Sequence, residues 1–204
     1  MSNQRRRALI LFSGGADSVL MVMQAIKMSL DFTVLVYCYG QVHEEEVDAA
    51  RELISKLRNE GRTIPSLHLD LTGCFEASRS RLLKQVCDRP INSDDIGRDL
   101  GVHSAHVPSR NAVFVSVALS VAESRGYDEV WIGCDYSDRV NGFPDCRQEW
   151  VEAMDKVAEL NSPYRVRVKA PLLGLTKEDV LERLALHGIV VKEIFSGYGD
   201  HLPS

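Results

Sequence analysis

The residues best suited to chemistry begin at position 13. Ser13, Gly14, Gly15, Ala16, Asp17 and Ser18 follow directly on an apolar run, Ala8 to Phe12, and lead into a helical pattern from Val19 to Met28. A buried strand, a glycine turn flanked by hydroxyls and a helix make an anion cradle. The glycines let backbone N–H groups approach a ligand, and the helix N-terminus adds positive potential. No Gly-Lys-Ser/Thr closes the turn, so it is not a Walker loop.

Further polar clusters follow other apolar runs. Tyr39, Gly40, Gln41, Val42, His43 and Glu44 follow the second run, and Val107, Pro108, Ser109, Arg110 and Asn111 precede a long apolar helix. Asp135, Tyr136, Ser137 and Asp138 come later, ahead of Gly142, Phe143, Pro144, Asp145, Cys146 and Arg147. Arg110, Arg147 and Lys177 each fall in the first turn of a predicted helix, where a cation opposes the macrodipole by about 0.3–1 kcal/mol. Three such placements point to bound anions, phosphates and a carboxylate, with arginine offering a bidentate fork. The alternative is that they reach into water. Asp145 reads more readily as an N-cap, and His43 equally as a substrate contact or a surface histidine.

The elements that must position these residues alternate. Thr33 to Cys38 is a continuous apolar run suited to a central parallel strand. Glu44 to about Arg58 has helical spacing, with Val47, Ala50, Leu53, Ile54 and Leu57 on one face. Ser66 to Leu69 reads as a third strand, Arg110 to Arg125 as a largely apolar helix, and Glu129 to Cys134 as a fourth strand. A helix over Asp145 to Leu160 and a strand over Val166 to Pro171 follow. Thr176 to Asp179 opens the last helix with a capping-box pattern, and Gly188 closes it. The reading is a doubly wound, Rossmann-like parallel sheet of five strands, with ligands at the carboxyl ends of the strands. It forms a single domain, 1–204, with an insertion over about 72–107 and a short tail over about 189–204.

The bulk numbers narrow the partners. At 204 residues the chain can bury a real core, and 45% hydrophobic with 26% charged residues is ordinary for a soluble globular protein. A net charge of −5 argues against a dedicated nucleic-acid binder. The only basic run, Arg5 to Arg7, reads as a solvated flank. No stretch has the length of a membrane span, no signal segment is visible, and the cytoplasm is the expected location. The five cysteines, Cys38, Cys74, Cys87, Cys134 and Cys146, are scattered without a Cys-x-x-Cys pair. Cys38 and Cys134 read as buried thiols.

The opening loop resembles the pyrophosphate loop of the ATP pyrophosphatase superfamily. That resemblance implies a HUP-type fold and reaction at the α-phosphate with pyrophosphate leaving. Nearly the whole chain resembles the 7-cyano-7-deazaguanine synthase family, through Phe12 to Ser18, Tyr39 to His43, Val107 to Asn111, Gly142 to Arg147 and Pro171 to Lys177. The resemblance implies adenylation of the carboxylate of 7-carboxy-7-deazaguanine with ATP and Mg²⁺, then attack by ammonia to give an amide. A second ATP would convert the amide to the nitrile. Leu11, Phe12, Ser13, Gly14, Gly15, Ala16, Asp17 and Ser18 would hold ATP together with Arg110 and Lys177. Asp17, Lys177 and Arg110 would be catalytic, with Asp17 orienting the nucleotide or the magnesium. Tyr39, Gln41, His43, Asn111, Asp138, Phe143, Asp145 and Arg147 would shape the deazaguanine pocket. The family's habit implies a homodimer.

The departure is at the C-terminus, where family members bind a structural zinc with four cysteines. Here Phe195, Ser196, Gly197 and Tyr198 place glycine at the first ligand, and the sequence reaches Ser204 before the remaining cluster. No zinc is therefore expected. Two other readings stay open. One is a repurposed relative, of the kind found in antiviral defence operons (CBASS-type), that passes the deazaguanine acyl group to a protein amine such as a partner's N-terminus. The other is a non-catalytic nucleotide-binding subunit.

Overall fold

The five segments read as strands become five parallel strands: β1 (Arg7–Leu11), β2 (Asp31–Cys38), β3 (Ser66–Asp70), β4 (Glu129–Trp131) and β5 (Arg167–Lys169). The computed structural model describes residues 6–41, 44–59, 61–76, 78, 80, 83, 107–140 and 142–189. The helices are α1 (Ala16–Lys27), α2 (Glu44–Asn59), α3 (Arg110–Arg125), α4 (Tyr136–Val140), α5 (Gln148–Asn161) and α6 (Lys177–Leu186). Two 3-10 turns, Thr72–Phe75 and Pro144–Cys146, complete the set among the described residues.

The sheet order is β3-β2-β1-β4-β5, with every pairing parallel. Leu9 pairs with Thr33 on one side and Val130 on the other. Because side chains alternate along a strand, β1 feeds two cores. Ala8, Ile10 and Phe12 pack with Val34, Val36 and Trp131 against residues of α1, α2 and α6. Leu9, with Leu35, Val130 and Val168, packs against residues of α3 and α5. The sheet is therefore doubly wound, as the alternation of runs predicts. Its order reverses between β1 and β4, and the carboxyl ends of these strands are where such a fold opens a crevice.

Arg7 corrects the reading of the basic run as a solvated flank. Its guanidinium donates to the carbonyls of Arg125 (2.9 Å) and Gly126 (3.2 Å), pairs with Asp31 (3.1 Å) and lies 4.7 Å over the Tyr127 ring. Its backbone N–H donates to Asp128. The last carbonyls of α3 have no intrahelical partner, and Gly126, at φ +71°, turns the chain so that a cation can reach them. Replacing Arg7 with alanine should cost about 1–2 kcal/mol, since charged hydrogen bonds are lost at a half-exposed site. Urea denaturation with an unchanged m-value is the check.

Other boundaries moved slightly. The regular part of β4 stops at Trp131, although Ile132 still donates to the Lys169 carbonyl at 2.9 Å. The helix expected from Asp145 is divided. Pro144–Cys146 forms a 3-10 turn, Arg147 sits in extended conformation as N-cap, and α5 starts at Gln148. Proline fixes φ for a turn start but supplies no N–H to continue the ladder. Arg147 is thus placed just ahead of the helix, and Asp145 is not its N-cap. Cys134 is buried as expected, whereas Cys38 is only half-buried.

Candidate active site

The loop after β1 closes on itself. Ser18, buried on the first turns of α1, accepts hydrogen bonds at Oγ from the N–H groups of Gly14 (3.1 Å) and Ser13 (3.3 Å), and donates to the Gly15 carbonyl (2.8 Å). Ser13 Oγ accepts from Gly15 N–H at 3.3 Å. Gly14 has φ +88°, a conformation that costs other residues strain. Gly15 has φ −70°, which any residue adopts. The first turn of α1 has no side-chain cap, so N–H groups at this helix start are without a side-chain acceptor. Leu11 is half-buried, while Phe12 and Ala16 are core residues that fix the loop's two ends.

Asp17, in that first turn, meets Lys177 from the first residue of α6. Lys177 Nζ donates to Asp17 Oδ2 at 2.8 Å across 160 residues. The local structure explains how it arrives. Thr176 accepts from Asp179 N–H, the Asp179 carboxylate accepts from Thr176 N–H at 2.8 Å, and the predicted capping box is complete. Lys177 N–H donates to Ser137 Oγ at 3.1 Å, tying α6 to the first turn of α4. Asp135 lies 3.8 Å from Lys177 Nζ and is 1% exposed. Its Oδ1 accepts from Asp138 N–H at 2.9 Å.

Two carboxylates, Asp17 and Asp135, thus share one ammonium, and a third, Asp138, is hydrogen-bonded to Asp135 beside them. Burial pushes the Asp17 carboxyl up, Lys177 opposes this, and the Asp135 charge adds to the rise. Asp138 is pushed up to about 6, chiefly by burial and then by the charges of Asp135 and Asp17. Burial disfavours the Lys177 charge, but Asp17 and Asp135 outweigh it and hold the ammonium above its ordinary range. Asp17 Oδ1 is buried without a hydrogen-bond partner. An orphaned carboxylate oxygen amid excess negative charge suits a divalent cation brought in with phosphates. Magnesium uses one or two carboxylates plus substrate oxygens and water. No three described His, Cys, Asp or Glu side chains form a metal site by themselves.

A second group lies just past β2. The Tyr39 ring packs edge-on against Phe75 and Phe114, and its hydroxyl accepts from Arg110 Nη1 at 3.3 Å. The Arg110 guanidinium lies 5.8 Å over the same ring. Ser109, the residue before α3, has φ +56°, and this strained turn aims Arg110. Tyr37 stacks on Phe114 at 4.5 Å. Phe75, Leu83 and Val107, near the two ends of the insertion, pack together beside Tyr39 and Phe114.

The sequence-predicted residues separate accordingly. Asp17, Lys177 and Asp138 come together in the ion cluster, and Arg110 joins Tyr39 in the aromatic group. Gln41 is buried, with Oε1 accepting from Tyr39 N–H at 2.9 Å and Nε2 donating to the Tyr37 carbonyl. Its amide is spent on the end of β2, because strand-end backbone groups need partners. Phe143 packs against the core shared with α3 and α5. The Asp145 carbonyl accepts from the Cys134 thiol at 3.8 Å, Asn111 is half-buried on α3, and Arg147 is exposed. His43, Cys87, most of the insertion and the tail with Gly197 lie outside the described residues. Asp135 was missed. An aspartate directly after the fourth apolar run is the signal that could have found it.

The fold is that of a parallel α/β protein with a glycine turn between strand and helix at its switch point. Two solved synthetases share it: NMN synthetase from Francisella tularensis (TM-score 0.54, 16% identity, 93% of this chain and 65% of that one) and NH3-dependent NAD synthetase from Campylobacter jejuni (TM-score 0.56, 12% identity, 94% and 69%). The model of the family described as queuosine biosynthesis protein QueC matches residues 7–203, and the chain belongs to that family. A 7-cyano-7-deazaguanine synthase from Microcystis aeruginosa is 32% identical over 95% of this chain and 82% of its own length.

Proposed function

We propose that this single-domain protein is an ATP-dependent carbon–nitrogen ligase that adenylates the carboxylate of 7-carboxy-7-deazaguanine and passes the acyl group to ammonia. The observation that carries the reading is the 2.8 Å pairing of Lys177 with Asp17 beside the glycine loop. It joins an anion cradle, an acid and a cation at the switch point, in a chain that shares a family with 7-cyano-7-deazaguanine synthases.

A carboxylate resists attack because oxide is a poor leaving group. Attack of its oxygen on the α-phosphorus of ATP forms an acyl-adenylate and expels pyrophosphate. The uncapped start of α1 and the Lys177 ammonium would stabilise charge on that leaving group. Asp17 would hold magnesium, which supplies neutralisation of the phosphate oxygens. Ammonia then attacks the acyl carbon, the C–O bond to AMP breaks, and an amide results. Repetition on the amide oxygen, with loss of AMP, gives the nitrile. Tyr39 and Arg110 offer a flat ring and a planar cation, which suit a deazaguanine face.

With 7-carboxy-7-deazaguanine, ATP and Mg²⁺, the protein should release AMP and pyrophosphate. Mass spectrometry after adding ammonium distinguishes amide from nitrile, and the intact mass of an added partner protein shows whether a protein amine is the acceptor instead. Absence of AMP, with ATP binding demonstrated, sinks the deazaguanine reading.

A further inference from the structure

Asp135 carries a charge that the reaction as described does not use. It is almost fully buried, and its two oxygens have different partners: Oδ1 caps α4 through Asp138 N–H at 2.9 Å, and Oδ2 faces Lys177 Nζ at 3.8 Å. A carboxylate is kept in such a place only when it is paired and hydrogen-bonded. Around it, two distant segments are stitched together. Tyr136 N–H donates to the Leu175 carbonyl at 2.8 Å, and Lys177 N–H donates to Ser137 Oγ at 3.1 Å.

Lys177 therefore has two anionic neighbours. One, Asp17, belongs to the cradle and has a second oxygen left over for a cation. The other, Asp135, belongs to β4's loop: its Oδ1 is committed to the Asp138 N–H, and its Oδ2 stands within ion-pair range of the ammonium at 3.8 Å. When nucleotide arrives, Asp17 has a competing partner and Asp135 does not. A lysine ammonium on four methylenes is mobile, and holding it in one place lowers the cost of ordering it on a phosphate.

We propose that Asp135 is a positioning residue for nucleotide binding: it retains the Lys177 ammonium at the cradle while Asp17 turns to the incoming triphosphate and its cation. The proposal rests on the ATP reading but not on the identity of the carboxylate substrate. The same arrangement separates it from a purely structural cap, because the cap works through Oδ1 and the positioning through Lys177.

The test is a double-mutant cycle on the full chain, with calorimetric binding of a non-hydrolysable ATP analogue and Mg²⁺, without carboxylate substrate. D135N should weaken binding about tenfold with Lys177 present, the scale of one charge-assisted contact. In the K177M background the same change should alter affinity by less than about twofold. Equal weakening in both backgrounds, or none in either, overturns the proposal. D135E keeps the charge at a different reach; it should weaken binding only when Lys177 is present, and this pair decides the matter if D135N does not fold. Wild-type protein that binds no ATP analogue defeats the ATP reading and this proposal with it, a result visible before any variant is made.

Discussion

Asp17→Asn is expected to cut AMP and pyrophosphate release by about 10²–10³-fold, the scale of losing one preorganised electrostatic group at a reacting phosphate. The carboxylate does two things that an amide cannot do together. Its Oδ2 accepts from Lys177 at 2.8 Å, and its Oδ1 is buried and unpartnered, open to a cation. An asparagine in the same place offers one acceptor and one donor, and the donor would face either an ammonium or a metal. The fold should survive, because the ammonium keeps Asp135 and the cluster loses a charge it had in excess. An unchanged melting temperature with AMP release near zero is the expected pair of measurements. Wild-type turnover would end the assignment of Asp17.

Asp138→Asn is expected to make the protein more stable by about 3 kcal/mol at pH 7.5, while impairing the reaction. Burial, then the charges of Asp135 and Asp17, push the Asp138 carboxyl up to about 6 from an ordinary 3.8. Between those values the folded state binds more protons than the unfolded one, so stability falls as pH rises through this window. Well below pH 3.8 the group is neutral in both states and the penalty vanishes. Above pH 7 it is ionised in both, and the folded state carries the whole cost. The variant's advantage should therefore be complete above pH 7, shrink as pH falls through 6, and be lost well below pH 3.8. Chemical denaturation across pH checks it, and an advantage that grows toward acid would refute the charge account.

Stability and function conflict at this place for a physical reason. Three carboxylates crowd one ammonium before any ligand arrives, and the added cations of a nucleotide complex would relieve them. A site shaped for what it binds is strained without it.

Local rules were enough for much of this. The inner strands β1, β2 and β4 form where continuous apolar segments suit a sheet covered on both faces, whereas the edge strands β3 and β5 are mixed and partly exposed. The helix from Arg110 to Arg125 and the capping box at Thr176 and Asp179 emerge where periodicity and side-chain capping put them. The strand, glycine turn and helix around Ser13 to Ser18 were legible because they are contiguous. The single turn α4, Tyr136–Val140, was not, since five mixed residues carry no periodicity and its start depends on Asp135.

What the sequence determined by itself is the order of elements, the glycine turn after the first strand and the family resemblance, all properties of neighbouring residues. Tertiary structure decided which polar residues act together. It brought Lys177 to Asp17 across 160 residues, added Asp135, drew Arg110 onto Tyr39, and committed Gln41 to the backbone. It also made Arg7 a clamp on α3 instead of a solvated flank. The reason is that charge and hydrogen bonding act through space. Which partners a polar side chain finds depends on strands paired and helices packed far along the chain, and no local pattern carries that information.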